Sequence, residues 1–182
     1  ETDTVAQELT TTPGLANVAQ REVALVSGSN NIVVTNQMTG GSLGGLIDIR
    51  EGMLEETLNE IDRLAVVVSE TFNAQHMEGM DLNGSIGNTF FSAPTSEVLI
   101  HQNNAGTGAV SITVNNASAL RASDYRLEYD GANYQLTRLS DGVNISGAGP
   151  LVMDGFTTTI GAGAVAGDSY IIKPSGGSAL NM

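Results

Sequence analysis

Apolar positions fall into two regimes along this 182-residue chain. Between residues 46 and 74 they recur with the period of an α-helix, and after residue 93 they alternate with polar ones as in β-strands. In the first regime Leu54, Leu58, Ile61, Ala65, Val68 and Phe72 follow spacings of four, three, four, three and four, with Ile47 seven residues earlier. Such spacing draws one stripe along one helix, and Leu64, three residues after Ile61, widens it. A helix from Leu46 to about Ala74 would be roughly 43 Å long at 1.5 Å per residue, longer than most globular helices. The predicted packing face is therefore Ile47, Leu54, Leu58, Ile61, Leu64, Ala65, Val68 and Phe72. It reads either as an ordinary core-facing stripe or as a surface for partner helices, and its length favours the second.

In the second regime Val110, Ile112 and Val114 alternate with Ser111, Thr113 and Asn115, and Tyr125, Leu127 and Tyr129 with Arg126 and Glu128. Turn residues at 130–133 and 140–142 flank a further strand, "YQLTRL", and β-rich runs recur at 151–153, 156–160 and 169–172. About six short strands at this spacing predict a small antiparallel sandwich or barrel. Ahead of the helix, Glu22 to Val26 and Asn31 to Thr35 flank Ser27 to Asn30, a β-hairpin. Residues 1–20 read as an irregular or strand-edge lead-in. The expected class is α+β, divided into residues 1–92 and 93–182.

Charge follows the same division. Residues 1–92 hold 13 acidic and 3 basic side chains, and 93–182 hold 7 and 4, giving the net −13. A chain so acidic repels polyanions, which argues against nucleic-acid binding. No apolar run is long enough to span a bilayer, and no basic-then-apolar leader opens the sequence. Cysteine is absent, so disulfides and thiol chemistry are excluded, and with 4% aromatic residues and no Trp a stacking platform for sugars or bases is poorly supplied.

The polar stretch after the helix offers Asn73, His76, Gly79, Asp81, Asn83 and Gly84. His76, Glu78 and Asp81 fall short of a zinc ligand set, because the other histidine, His101, lies in a separate segment. "DLNGSIG" begins like some calcium loops, but a twelve-residue loop from Asp81 would end on Ser92 where an acidic ligand is needed. No metal or cofactor is expected. The simpler reading is a helix end followed by a turn, with Gly79 as a left-handed C-terminal residue and the helix stopping between Gln75 and Gly79. The one Gly-x-Ser-x-Gly string, Gly40 to Gly44, lies in the flexible glycine-rich entry to the long helix rather than on a strand-to-helix elbow, and the Gly-rich stretches at 106–108, 147–149 and 161–163 do not open helices, so neither a hydrolase nor a phosphate site is supported.

In combination these residues resemble a known family. Gly41-Ser42-Leu43-Gly44-Gly45, Leu64-Ala65, Phe72-Asn73-Ala74-Gln75-His76, Gly79-x-Asp81-x-Asn83-Gly84 and Phe90-Phe91 are similar to the central region of the flagellar hook-associated protein 1 family. "NNASALRASDYRLEYDGANYQLTRLSDG", Asp154 to Phe156 and "GDSYIIKP" resemble its outer β domain. The resemblance covers residues 22–182. It implies a non-enzymatic structural component of the bacterial flagellum, exported from the cell and joining hook to filament. The implied partners are neighbouring copies, the hook protein and the next junction protein. It also implies that long terminal helices, which drive assembly, lie outside this sequence, so that the isolated chain would be a monomer. The polar residues from Asn73 to Gly84 would then mark where the helical part hands over to the β domain. The rival is a secreted binding or adhesin-like module, using loops at 147–150 and 161–167.

Overall fold

The structure, a computed structural model, describes residues 8–181; residues 1–7, part of the predicted lead-in, lie outside the described residues. The chain forms two compact units, residues 1–55 and 56–182.

In the first unit, β1 (Leu9–Pro13), β2 (Arg21–Ser27) and β3 (Asn30–Val33) form an antiparallel sheet in the order β1-β2-β3. The β2–β3 hairpin turns at Gly28, which adopts a φ of 63°, a left-handed conformation that costs glycine nothing. Strand β1 places a regular strand inside the predicted lead-in, and the Thr-rich run from Thr10 to Thr12 pairs with Ala24 to Glu22. The second strand of the hairpin ends at Val33 rather than Thr35. Thr35 opens a single 3₁₀ turn, is buried, and its Oγ1 accepts the Val23 N–H at 2.8 Å.

The helical region departs from a single uniform helix. Helix α1 (Gly41–Asp48) is followed by a π-helical segment, Ile49–Leu54, and then by α2 (Glu55–Met77). A π segment bonds i to i+5 and turns less per residue than an α-helix, so seven residues across it do not return to the same side. Ile47 accordingly does not share the environment of Leu54. Ile47 is 8% exposed and Leu54 is 51% exposed. Arg50, within the π segment, donates from Nη1 to the Arg21 carbonyl at 2.7 Å, tying the segment to β2.

The second unit contains α2 and eight strands: β4 (Glu97–Ile100), β5 (Val110–Val114), β6 (Tyr125–Tyr129), β7 (Tyr134–Arg138), β8 (Asn144–Gly147), β9 (Leu151–Met153), β10 (Phe156–Ile160) and β11 (Ser169–Lys173). They form two antiparallel sheets, β5-β10-β9 and β4-β11-β6-β7-β8. β4 lies beside β5 and β8 beside β9, so both edges of the larger sheet meet edges of the smaller one. This arrangement leaves little free strand edge for other chains to pair with. The alternation read from sequence is realised: Tyr125 and Leu127 are fully buried while Arg126 and Glu128 face solvent. Tyr170, Leu127, Leu136 and Ile145 stand in cross-strand register, one row of the core. From the facing sheet, Phe156 meets Tyr125 edge-on at 4.8 Å between ring centres. Strands β4 and β8, absent from the sequence reading, complete the larger sheet at its two edges.

Candidate functional site: the two stripes of helix α2 and its return loop

Helix α2 presents two different surfaces. Leu58, Ile61, Leu64, Val68 and Phe72, together with Leu54 just before it, keep 45–53% of their surface exposed. Of the eight predicted packing-face residues, only Ile47 and Ala65 are covered by the chain itself, each 8% exposed. Roughly a quarter turn away, at 3.6 residues per turn, lies a second stripe: Asp62, Val66, Ser69 and Asn73. This one faces its own unit. Val66 is fully buried and joins the sheet core, Ser69 and Asn73 are buried, and Asp62 is half-buried.

Each polar member of the inner stripe is satisfied, as burial requires. The Asp62 carboxylate accepts N–H bonds from Gly177 at 3.0 Å and Ala179 at 2.9 Å. Those residues begin a 3₁₀ turn whose Ser178 Oγ donates to the Thr95 carbonyl, at the approach to β4. The Ser69 hydroxyl donates to the Val66 carbonyl. Asn73 holds the returning chain: its Oδ1 accepts the Phe90 and Phe91 N–H groups, both at 2.8 Å, and its Nδ2 donates to the Phe91 carbonyl at 3.0 Å.

The predicted turn residues separate into distinct roles. Asn73 sits inside α2, one turn before its end, and binds the loop from there. The helix stops at Met77, within the predicted interval. His76, in the last turn, donates from Nδ1 to the Asn88 carbonyl at 2.6 Å. Gly79 does not adopt the left-handed conformation expected of it. Its N–H bonds the His76 carbonyl in a 3₁₀-type closure, and the left-handed residue is Gly84, with φ of 83°. Asp81 organises the turn: its Oδ1 accepts the N–H groups of Asn83 and Ser85, both at 2.8 Å. Asn83 contributes that backbone donor. Gly87 carries a constraint the sequence reading missed, since a Cβ there would stand 2.2 Å from the His76 carbonyl oxygen. The "SIGN" context of Gly87 gives no local signal for this approach, because the clashing atom belongs to the helix end.

Phe72, His76, Phe90 and Phe91 form an aromatic cluster on this corner, with Phe72 5.2 Å from Phe90 and 5.3 Å from Phe91 between ring centres. Beside it an open hollow of about 450 Å³ is lined by Phe72, Gln75, His76, Met80 and Asp81 among others. Its chemistry is mostly apolar. Among the described residues no group of three or more His, Asp or Glu side chains is placed to hold a metal ion. No helix among them is long and apolar enough to cross a membrane.

Of the loops that a ligand-binding β domain would use, 161–167 is tied to residues 105–107. Asp168, 1% exposed, accepts the Ala105 and Gly106 N–H groups on Oδ1 and the Val165 N–H on Oδ2. The Val165 bond, helped by Gly106 and Ala105 and opposed by burial, holds its carboxyl below the usual carboxylate value. At 147–150 the chain runs from the end of β8 into β9. Arg138 bridges Asp154 and Asp141, and the Tyr125 hydroxyl donates to Asp154 at 2.7 Å. These contacts pin the turn after β9.

Comparison with known proteins agrees with this architecture over nearly the whole chain. Residues 2–91 match the family model described as the flagellar hook-associated protein FlgK helical domain, and residues 99–174 match that of the flagellar hook-associated protein 1, D2-like domain. Flagellar hook-associated protein 1 of Salmonella typhimurium is 33% identical over 184 residues, 97% of this chain and 33% of that protein. Its counterpart in Escherichia coli K12 is 33% identical over 183 residues, 97% of this chain and 34% of that protein. The chain thus spans about a third of the length of the curated relatives it matches. The solved flagellar hook junction protein FlgK from Burkholderia pseudomallei superposes with a TM-score of 0.85 at 26% identity, over 96% of this chain and 34% of that one. On the two domain matches and the shared α+β fold, the chain belongs to the flagellar hook-associated protein 1 family.

Proposed function

We propose that this chain is a non-enzymatic structural part of the flagellar junction between hook and filament, acting outside the cell. The exposed stripe of α2 is its assembly surface, covered there by helices from outside residues 1–182. The observation that carries this reading is the continuous, charge-free row Leu58, Ile61, Leu64, Val68 and Phe72, about half exposed along one side of a 23-residue helix. Contiguous apolar surface of this kind marks interaction sites on soluble proteins. Its four-three spacing suits a helical partner in ridges-into-grooves packing.

Neighbouring copies, hook protein and the next junction protein are the partners this reading assigns, while the acidic β domain faces solvent. The separate matches to residues 2–91 and 99–174 support a functional division near 92–93, although contacts group α2 with the sheets. On this reading Gly79 to Gly84 form the handover between the two parts, braced by Asn73 and His76.

The test is complementation of a strain lacking the full-length protein with a variant carrying Leu58→Ser, Ile61→Ser and Val68→Ser. Loss of attached filaments by electron microscopy, with normal secretion of a folded protein, is expected. Normal motility and filament number would overturn the reading.

A further inference from the structure

We infer that Asp62 and Asn73 are positioning residues: two polar latches that fix the rotation of α2 on its own unit and so keep the apolar stripe outside. The inference rests on the proposed function only for what the outer stripe is for; the rotation itself has its own readout.

The starting point is a conflict. Left to the hydrophobic effect alone, a helix with one apolar and one mostly polar stripe turns the apolar one toward its own core. Here the inward stripe is Asp62, Val66, Ser69 and Asn73, and the outward one is Leu58, Ile61, Leu64, Val68 and Phe72. What opposes the simpler arrangement is the hydrogen-bond inventory at the two ends of the inner stripe. Asp62 takes the N–H groups of Gly177 and Ala179, 115 and 117 residues away in sequence. Asn73 takes those of Phe90 and Phe91 and gives one bond to the Phe91 carbonyl.

A quarter-turn rotation of α2 would strand four backbone donors and one acceptor at once, and would withdraw Val66 from the sheet core. A polar group that loses its partner where water has little access is costlier than a merely unburied apolar one of modest size, and Asn73 is buried while Asp62, Gly177 and Phe91 are half-buried. The latches lie eleven residues apart, three turns of helix, so together they resist both roll and tilt. Val66 between them supplies adhesion without direction, since apolar contact is non-directional.

The chain has no cysteine, so paired nitroxide labels can be introduced at Val68→Cys on α2 and Val152→Cys on β9 without background. In the otherwise unaltered chain a single narrow distance distribution is expected between them. Asn73→Leu, which fills similar space but cannot bond, should at least double its width, and Asp62→Leu should do the same. Asn73→Asp keeps both acceptor roles but turns an acceptor oxygen toward the Phe91 carbonyl, so its distribution should be narrower than that of the Leu variant and broader than that of the unaltered chain, whereas a merely space-filling role would be served better by Leu. A distribution of unchanged centre and width in both Leu variants overturns the inference.

If a Leu variant loses its sheet signal by circular dichroism, hydrogen exchange on the unaltered chain decides. The amides of Gly177, Ala179, Phe90 and Phe91 should exchange at least about tenfold more slowly than unstructured amides, and rates equal to those of free peptide overturn the inference. The two readings fail separately. Unchanged assembly in the Ser-substituted stripe sinks the proposed function and leaves the latches standing, while unchanged label distances sink the latches and leave the assembly surface standing.

Discussion

The interior of the β-sandwich and the outer stripe of α2 are built from similar side chains, yet the chain treats them oppositely. Leu127, Leu136, Phe156 and Ile172 are wholly buried, whereas Leu58, Ile61, Val68 and Phe72 stay about half exposed. A fully buried residue of this type contributes about 1.5–3 kcal/mol relative to an exposed one. Much of that gain is therefore left unrealised along α2. Apolar periodicity thus identifies a surface to be covered, without saying whether the cover belongs to the same chain. In the sandwich, cross-strand rows such as Tyr170, Leu127, Leu136 and Ile145 supply mutual cover. Along α2 the inward position is taken by a mostly polar stripe with specific bonds, in which Val66 alone joins the sheet core.

The contrast is broken most forcefully inside the sandwich. Phe156→Ala removes a fully buried ring that meets Tyr125 edge-on and should cost about 3–5 kcal/mol, seen as a lower urea midpoint. Next is the inner stripe, where Asn73→Ala removes the partner of the half-buried Phe90 and Phe91 amide bonds and should cost about 1–3 kcal/mol in the same measurement. Gly87→Ala should destabilise by about 1–3 kcal/mol, because its Cβ meets the His76 carbonyl and either the loop or the helix end must shift; proteolysis should quicken between residues 78 and 90. Leu58→Ser, on the outer stripe, should cost the isolated chain about 1 kcal/mol, since only about half of the side chain is buried there. A cost comparable to that of Phe156→Ala would show the outer stripe covered by its own chain, and the comparison would collapse.

A last, narrower effect concerns acid. Asp168 has a folded pKa below its ordinary value of 3.8, chiefly through the Val165 N–H bond. A depressed carboxylate stabilises the fold above its unfolded pKa and loses that contribution as pH falls through the folded one. Stability should therefore drop more steeply below about pH 3.8 in the parent chain than in Asp168→Asn. Parallel acid limbs in the two thermal melts would remove Asp168 as the cause.

Local patterns make much of this molecule legible in the sequence alone. Alternation placed Tyr125 and Leu127 inward and Arg126 and Glu128 outward. Turn chemistry located the hairpin at Gly28 and the Asp130 turn, where Oδ1 accepts the Ala132 and Asn133 amides. The helix stop at Met77 follows from the Gly- and Asp-rich stretch beyond it. Strands β4 and β8 were not legible, because four-residue segments such as Asn144–Gly147 carry too little alternation to stand out. They form only because neighbours offer their edges. Gly79 was misassigned because a glycine near a helix end marks the stop but not which closure follows.

What the sequence settles by itself, then, is periodicity: which residues share a face of α2, which alternate across a strand, and where turn formers interrupt both. Which face of α2 turns inward was decided only by the tertiary structure. So was the meeting of Asp62 with Gly177 and Ala179, and of Gly87 with the end of the helix. The physical reason is that a repeat fixes angles about an element's own axis and leaves the rotation of that axis free. Rotation is chosen by bonds between residues far apart in the chain, and no local spacing records them.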